Sequence, residues 1–130
     1  MGLAKGISFE DDLDNLEIYG DPMIEKVFIN LIDNSLRHGE HVSHIRFSYS
    51  RPGDSTVLIV YEDNGAGVPT SLKERIFEKG FGKNTGFGLF LSREILAITG
   101  LTIKENGNQG QGARFEISVP DGRFRFRSNQ

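Results

Sequence analysis

Ten of the sixteen glycines in this 130-residue chain fall between Gly65 and Gly112. Glycine gathered in one stretch marks backbone that turns, or approaches something closely, where a side chain would be forbidden. The length is one domain's worth, so one site is to be sought, and that stretch is where to seek it. Leu, Ile, Val and Phe supply 39 residues, enough for a core and against disorder. The net charge of −3 gives no case for nucleic-acid binding, which wants a basic stripe. The absence of Cys excludes a disulfide framework and thiolate metal sites, and three His without paired spacing argue against zinc. There is no long apolar run and no signal-peptide pattern.

The first six residues read as a ragged leader. Residues 7–10 and 16–19 alternate as short strands. Asp21-Pro22 starts a helix, with Asp as N-cap and Pro at the first position. Its apolar face carries Ile24, Val27, Phe28, Leu31, Ile32 and Ser35, and Gly39 ends it. Residues 44–50 and 56–61 predict a hairpin around Arg51-Pro52-Gly53-Asp54, with the second strand central because it is almost wholly apolar. A loop follows from Glu62, then a Ser71-x-x-Glu74 capping box for a short helix through Phe77. A Gly-rich loop leads to a helix over 89–99. Residues 101–103 and 114–119 read as the last strands, and the tail from Asp121 is basic and weakly structured. Strands are not separated by regular crossover helices. The expected fold is therefore α+β: a two-layer α/β sandwich with helices on one face of a mixed, mostly antiparallel sheet.

Four local patterns can carry chemistry. Asn30 and Asn34 stand one turn apart on the first helix, with Arg37 on the same face and His38 at its edge. Stacked amides can offer carbonyl oxygens to a hard cation such as Mg²⁺, or form a plain solvated face. Asp63, at a strand's end before Gly65 and Gly67, could accept a hydrogen bond from an exocyclic amine, or belong to a simple turn. Gly86-Phe87-Gly88-Leu89 opens a helix. Its free N–H groups suit a phosphate, or merely cap the helix. Gly80, Gly82 and Gly86 suit a lid or a surface loop, in which Lys79 and Lys83 could meet phosphate oxygens or water. Together the four describe a nucleotide site without a P-loop.

The order of these motifs resembles the catalytic, ATP-binding domain of sensor histidine kinases, in the superfamily that includes gyrase, Hsp90 and MutL ATPases. FINLIDNSLRHG resembles the asparagine box and DNGAGVP the first glycine box. IFEKGF resembles the phenylalanine box, with Phe77 and Phe81. GFGLFLSREILAITG resembles the second glycine box, and GQGARFEISVP the last glycine-bearing strand. The resemblance covers residues 7–120 and implies the Bergerat sandwich, with ATP between helices and sheet. By position it implies Asn34 as Mg²⁺ ligand and Asn30 as its upstream companion. It implies Arg37 at phosphate and His38 near the nucleotide. It implies Asp63 as acceptor of the adenine amine, with Gly65 and Gly67 shaping the pocket. Gly86 and Gly88 face phosphate, and Phe77 and Phe81 position the lid.

Two departures from the pattern carry weight. The lid between Phe81 and Gly86 is very short, so phosphate cover falls to Lys79, Lys83 or a partner. The acceptor-histidine helix is missing, since His38 belongs to the asparagine box and His41 and His44 lie at a loop and a strand edge. The expectation is a cytoplasmic catalytic fragment. It binds ATP and Mg²⁺ and serves a separate dimerisation and histidine-acceptor domain and, through it, a response regulator receiver domain. No contact with nucleic acid or membrane is expected, and no self-labelling without the acceptor. The alternatives are a gyrase- or MutL-type ATPase, an anti-sigma-type serine kinase, and a non-catalytic nucleotide-binding interaction module. The ATPases place a Glu base where this chain has Asn30, an amide that cannot usefully accept a proton.

Overall fold

A computed structural model describes residues 6–53, 55–81 and 88–127. In chain order the elements are β1 (Ser8–Asp12), β2 (Leu16–Ile18), α1 (Ile24–His38), β3 (His44–Ser50) and β4 (Val57–Asp63). Two 3-10 turns follow, Thr70–Leu72 and Arg75–Phe77. Then come α2 (Gly88–Ile98), β5 (Thr102–Glu105), β6 (Arg114–Val119) and β7 (Phe124–Phe126). Five strands form one sheet in the order β1-β3-β4-β6-β5, with β1 parallel to β3 and the other pairs antiparallel. Strands β2 and β7 form a separate antiparallel pair.

Alternation dictates the layers. In the central strand β4, Val57, Ile59, Tyr61 and Asp63 all point inward and are buried. Opposite them in register stand Phe47 and Tyr49 of β3 and Phe115, Ile117 and Val119 of β6. Helix α1 meets this face with a stripe at four-residue spacing, Val27, Leu31 and Ser35, and α2 with Ser92, Ile95 and Leu96. Burying such a side chain fully is worth about 1.5–3 kcal/mol, so this shared face supplies most of the driving force. Four polar residues nonetheless occupy inward positions: Ser35, Asp63, Ser92 and Glu105.

The opposite face of the sheet carries charges in rows. Glu10, Arg46, Glu62 and Arg114 lie directly across from one another on β1, β3, β4 and β6, alternating in sign. Arg46 pairs with Asp12 at 2.8 Å and Arg114 with Glu62 at 3.0 Å and Glu116 at 2.9 Å. Opposite charges across a sheet add only about 0.2–1 kcal/mol per pair, but the alternation leaves no two like charges facing in that row.

Several local expectations are corrected. Asp21 does cap a turn, its Oδ1 accepting from Met23 N at 2.8 Å, but the α-helix begins at Ile24. The Ser71 capping box is not formed, because this short segment makes 3-10 turns without a side-chain cap. Strand β4 extends through Asp63, which is therefore a strand residue and not part of the loop. The tail is ordered through β7, with Arg125 paired to Glu17 at 2.6 Å and Arg51 lying over the rings of Phe124 and Phe126. Among the described residues no helix is long and apolar enough to cross a membrane.

Candidate functional site

Strand β4 alternates inward residues until it runs out of apolar ones, and the last inward residue is Asp63. The α1 stripe likewise ends in Ser35. The two meet behind a cavity of about 360 Å³ lying between α1, the start of α2 and the loops after β4 and β5. Its walls include Asn30, Asn34, His38, Asp63, Gly67, Phe81, Gly88 and Leu89, eight residues singled out from the sequence. Val68, Leu72 and Ile76 make an apolar wall, and Ala113 closes the end of β6 against Asp63.

Asp63 is held by three protein donors. Its Oδ1 accepts from the backbone N–H groups of Gly65 and Ala113, both at 2.9 Å, and its Oδ2 accepts from the Ser35 hydroxyl at 2.6 Å. A carboxylate has about four acceptor positions. Three are filled by the protein, which leaves one on Oδ2. Behind Ser35 lies Tyr61, 2.6 Å away, whose hydroxyl also donates to the Leu31 carbonyl at 3.1 Å.

The loop after β4 is packed by backbone. A Cβ on Gly65 would overlap the Gly39 carbonyl at the end of α1, and Ala66 N donates to that carbonyl at 2.6 Å. Gly65 thus serves close approach to α1 and does not itself line the cavity, while Gly67, at φ +77°, does. Asn64 locks the outer side, accepting from Ser43 N and His44 N at 2.9 and 3.0 Å. Gly110 N donates to the Ala66 carbonyl at 2.7 Å and pins the loop after β5 over this turn.

Asn34 lines the cavity one turn after Asn30. Asn30 is engaged: its Nδ2 donates to the Gly88 carbonyl and to Ser92 Oγ, each at 3.2 Å. Arg37 stands outside the cavity, exposed and paired with Asp33 at 3.0 Å. Phe77 is a core residue packed edge-on against Phe115, with the Arg93 guanidinium 4.1 Å above its ring. Lys79 is exposed and does not line the cavity. Gly82, Lys83, Gly86 and Phe87 lie outside the described residues. The sequence reading missed the roles of Ser35 and Tyr61. The available signal was a serine, then an aspartate, at positions where the periodicity calls for core.

Residues 21–123 match the family model described as histidine kinase-, DNA gyrase B-, and HSP90-like ATPase. The chain is 39% identical over 131 residues to the alginate biosynthesis sensor protein KinB of Pseudomonas aeruginosa, covering 92% of this chain and 21% of that protein. It is 31% identical over 127 residues to the sensor histidine kinase GraS of Staphylococcus haemolyticus, covering 90% of this chain and 36% of that one. The catalytic domain of histidine kinase ThkA superposes with a TM-score of 0.74 at 27% identity, covering 89% of this chain and 80% of that domain. The chain thus spans only about a fifth to a third of the length of these two sensor proteins.

Proposed function

This chain belongs to the family of histidine kinase-, DNA gyrase B- and HSP90-like ATPases, and on that premise we propose that it binds ATP and presents the γ-phosphate to a histidine on a separate dimerisation and acceptor domain. The observation that carries this reading is Asp63: a buried carboxylate facing the cavity with one acceptor position left over. That position suits a single N–H donor such as the amine of adenine. Gly67, Val68, Leu72 and Ile76 offer the ring its flat apolar contacts.

The donor set suits Mg²⁺ held largely by phosphates. Among the described residues no group of three or more acidic or imidazole ligands is assembled, and Asn34 supplies one neutral oxygen at the cavity wall. Bound there, Mg²⁺ would neutralise phosphate charge. Asn34 would fix the triphosphate relative to α1, and His38 would close the rim beside the base. The N-terminal end of α2, at Gly88 and Leu89, would face the phosphates with the positive end of its dipole. Arg37 would exchange Asp33 for phosphate, and Lys79 and Lys83 would cover the triphosphate from the lid. Phe77 and Phe81 would position that lid. Catalysis is then positioning and charge neutralisation.

Transfer is favoured over hydrolysis by Asn30. Its amide donates to Gly88 and Ser92 and offers no carboxylate to activate water. The module is read as residues 7–120, working in the cytoplasm for a cognate receiver domain. The test is radiolabelled Mg-ATP with the parent's helical acceptor domain supplied in trans at high concentration, since separation forfeits the tethered effective concentration. An acid-labile, base-stable phosphohistidine on the acceptor is expected, with negligible hydrolysis by this chain alone. Brisk ATP turnover without acceptor, or an acid-stable label on serine, would overturn the reading.

A further inference from the structure

We propose that Ser35 and Tyr61 are positioning residues that make the cavity selective for a purine carrying an amino group, against one carrying a carbonyl at the same place. The inference rests on the reading that a nucleotide base meets Asp63.

Ser35 is buried at 1% exposure and has one hydroxyl hydrogen, given to Asp63 Oδ2 at 2.6 Å. Its oxygen can then only accept from Tyr61, 2.6 Å behind it. Tyr61 is fully buried, and its single hydrogen is shared between Ser35 Oγ and the Leu31 carbonyl at 3.1 Å. Burial pushes the Tyr61 phenol well above its ordinary range, against the Ser35 hydrogen bond and with the charge of Asp63 adding, so the hydrogen stays in place. The chain of donors thus runs one way, from Tyr61 through Ser35 to Asp63, and each link polarises the next.

Two consequences follow for the cavity. Oδ1 is fixed by the Gly65 and Ala113 amides and Oδ2 by Ser35, so the carboxylate cannot swing to avoid an unsuitable partner. Its one remaining position is an acceptor. An amine satisfies it, whereas a carbonyl would set acceptor against acceptor in a desolvated wall, which is the arrangement that discriminates most strongly. Neither Ser35 nor Tyr61 lines the cavity, so both act through Asp63.

The experiment compares ATP with inosine triphosphate, which has a carbonyl in place of the amine, by calorimetry on the wild type, Ser35→Ala, Tyr61→Phe and the double variant. The wild type should prefer ATP. Ser35→Ala should shrink that preference about tenfold, as expected for losing a hydrogen bond to a charged group, and Tyr61→Phe about threefold, as for a neutral one. The double variant should match Ser35→Ala, because the relay passes through Ser35. In ¹⁵N–¹H spectra without nucleotide, the Gly65 and Ala113 amides should move in both single variants, a signature that general loosening of the core would not confine to them. If Ser35→Ala does not fold, Tyr61→Phe decides by the same ratio. A folded variant that weakens both nucleotides equally, or a wild type that does not discriminate, overturns the inference and leaves ATP binding standing. A wild type that binds neither nucleotide overturns the functional reading beneath it.

Discussion

The side-chain amide of Asn30 donates to the Gly88 carbonyl at 3.2 Å, across 58 residues of chain. A second bond reaches Ser92 Oγ at 3.2 Å, and the Ser92 hydroxyl donates to the same carbonyl at 2.8 Å. The middle of α1 therefore grips the first turn of α2 at the cavity's edge. An amide is suited to this because both partners accept from it.

Asn30→Asp should break the grip. It exchanges donors for an acceptor-only group that faces a carbonyl, at the same size. The expected loss is about 1–3 kcal/mol of unfolding free energy, the cost of leaving partly buried polar groups unmatched. Urea denaturation measures it, and stability equal to the wild type would show the contact to be idle.

Asp63→Asn should bind ATP about 10- to 100-fold more weakly, the range for losing a charged hydrogen-bond partner in a buried site. The amide must also turn an NH₂ toward either Ser35 or the Gly65 and Ala113 N–H groups, which already donate there. Calorimetry on the folded variant checks this. Undiminished affinity would remove Asp63 from the base site.

Gly112 and Gly110 offer a paired test. Both have positive φ, +123° and +91°, but a Cβ on Gly112 would overlap the Asp63 carbonyl whereas one on Gly110 meets nothing within 4 Å. Gly110→Ala should cost about 1 kcal/mol, the strain of the left-handed region alone. Gly112→Ala should cost about 2–4 kcal/mol, since strain and overlap add, and should weaken nucleotide binding too. Equal melting temperatures for the two variants would contradict this.

Glu116 gives a pH dependence. Burial alone would raise its pKa, but hydrogen bonds from Arg114 and Asn106 and the charges of Arg114 and Lys104 outweigh that and hold it below the ordinary glutamate value. A depressed native pKa stabilises the fold above the unfolded value, and that stability is lost as pH falls through the native one. Glu116→Gln should therefore be less stable than wild type at neutral pH, with the gap closing on acidification below the ordinary carboxylate range. Stability curves against pH that stay parallel would refute the assignment.

Much of the fold was legible because it rests on periodicity. The β3–β4 hairpin, the β5–β6 pair and both helices follow from apolar spacing within each segment. The amides of α1 and the carboxylate ending β4 could be named because their residue types and order are unusual together. What escaped was long-range. Ser35 sits on the buried stripe of α1, yet its role depends on which strand residues lie opposite, and no local pattern fixes that. Strand β7 escaped for a related reason. Its Phe-Arg-Phe alternation looks like a charged tail until Glu17 takes up Arg125 and Arg51 covers the rings. Asn30 reads from the sequence as the upstream companion of Asn34, and its bonds to Gly88 and Ser92 of α2 are a second long-range relationship that no local pattern fixes.

The wall around Asp63 is joined by bonds spanning 28 residues to Ser35 and 50 to Ala113, and the cavity's edge by one spanning 58. Such a pocket has no partial form: opening the β5–β6 hairpin or unseating α1 dismantles it at once. Occupancy is then coupled to the whole folding equilibrium, and a nucleotide at 100 times its dissociation constant would add about 2.7 kcal/mol to the stability of every segment that contributes a wall. In hydrogen exchange, amides on β6 and α1, far apart in the chain, should slow together and by the same factor as ligand is added. The cavity would act as a cooperative latch on the domain, and its affinity as a gauge of how completely the chain is folded.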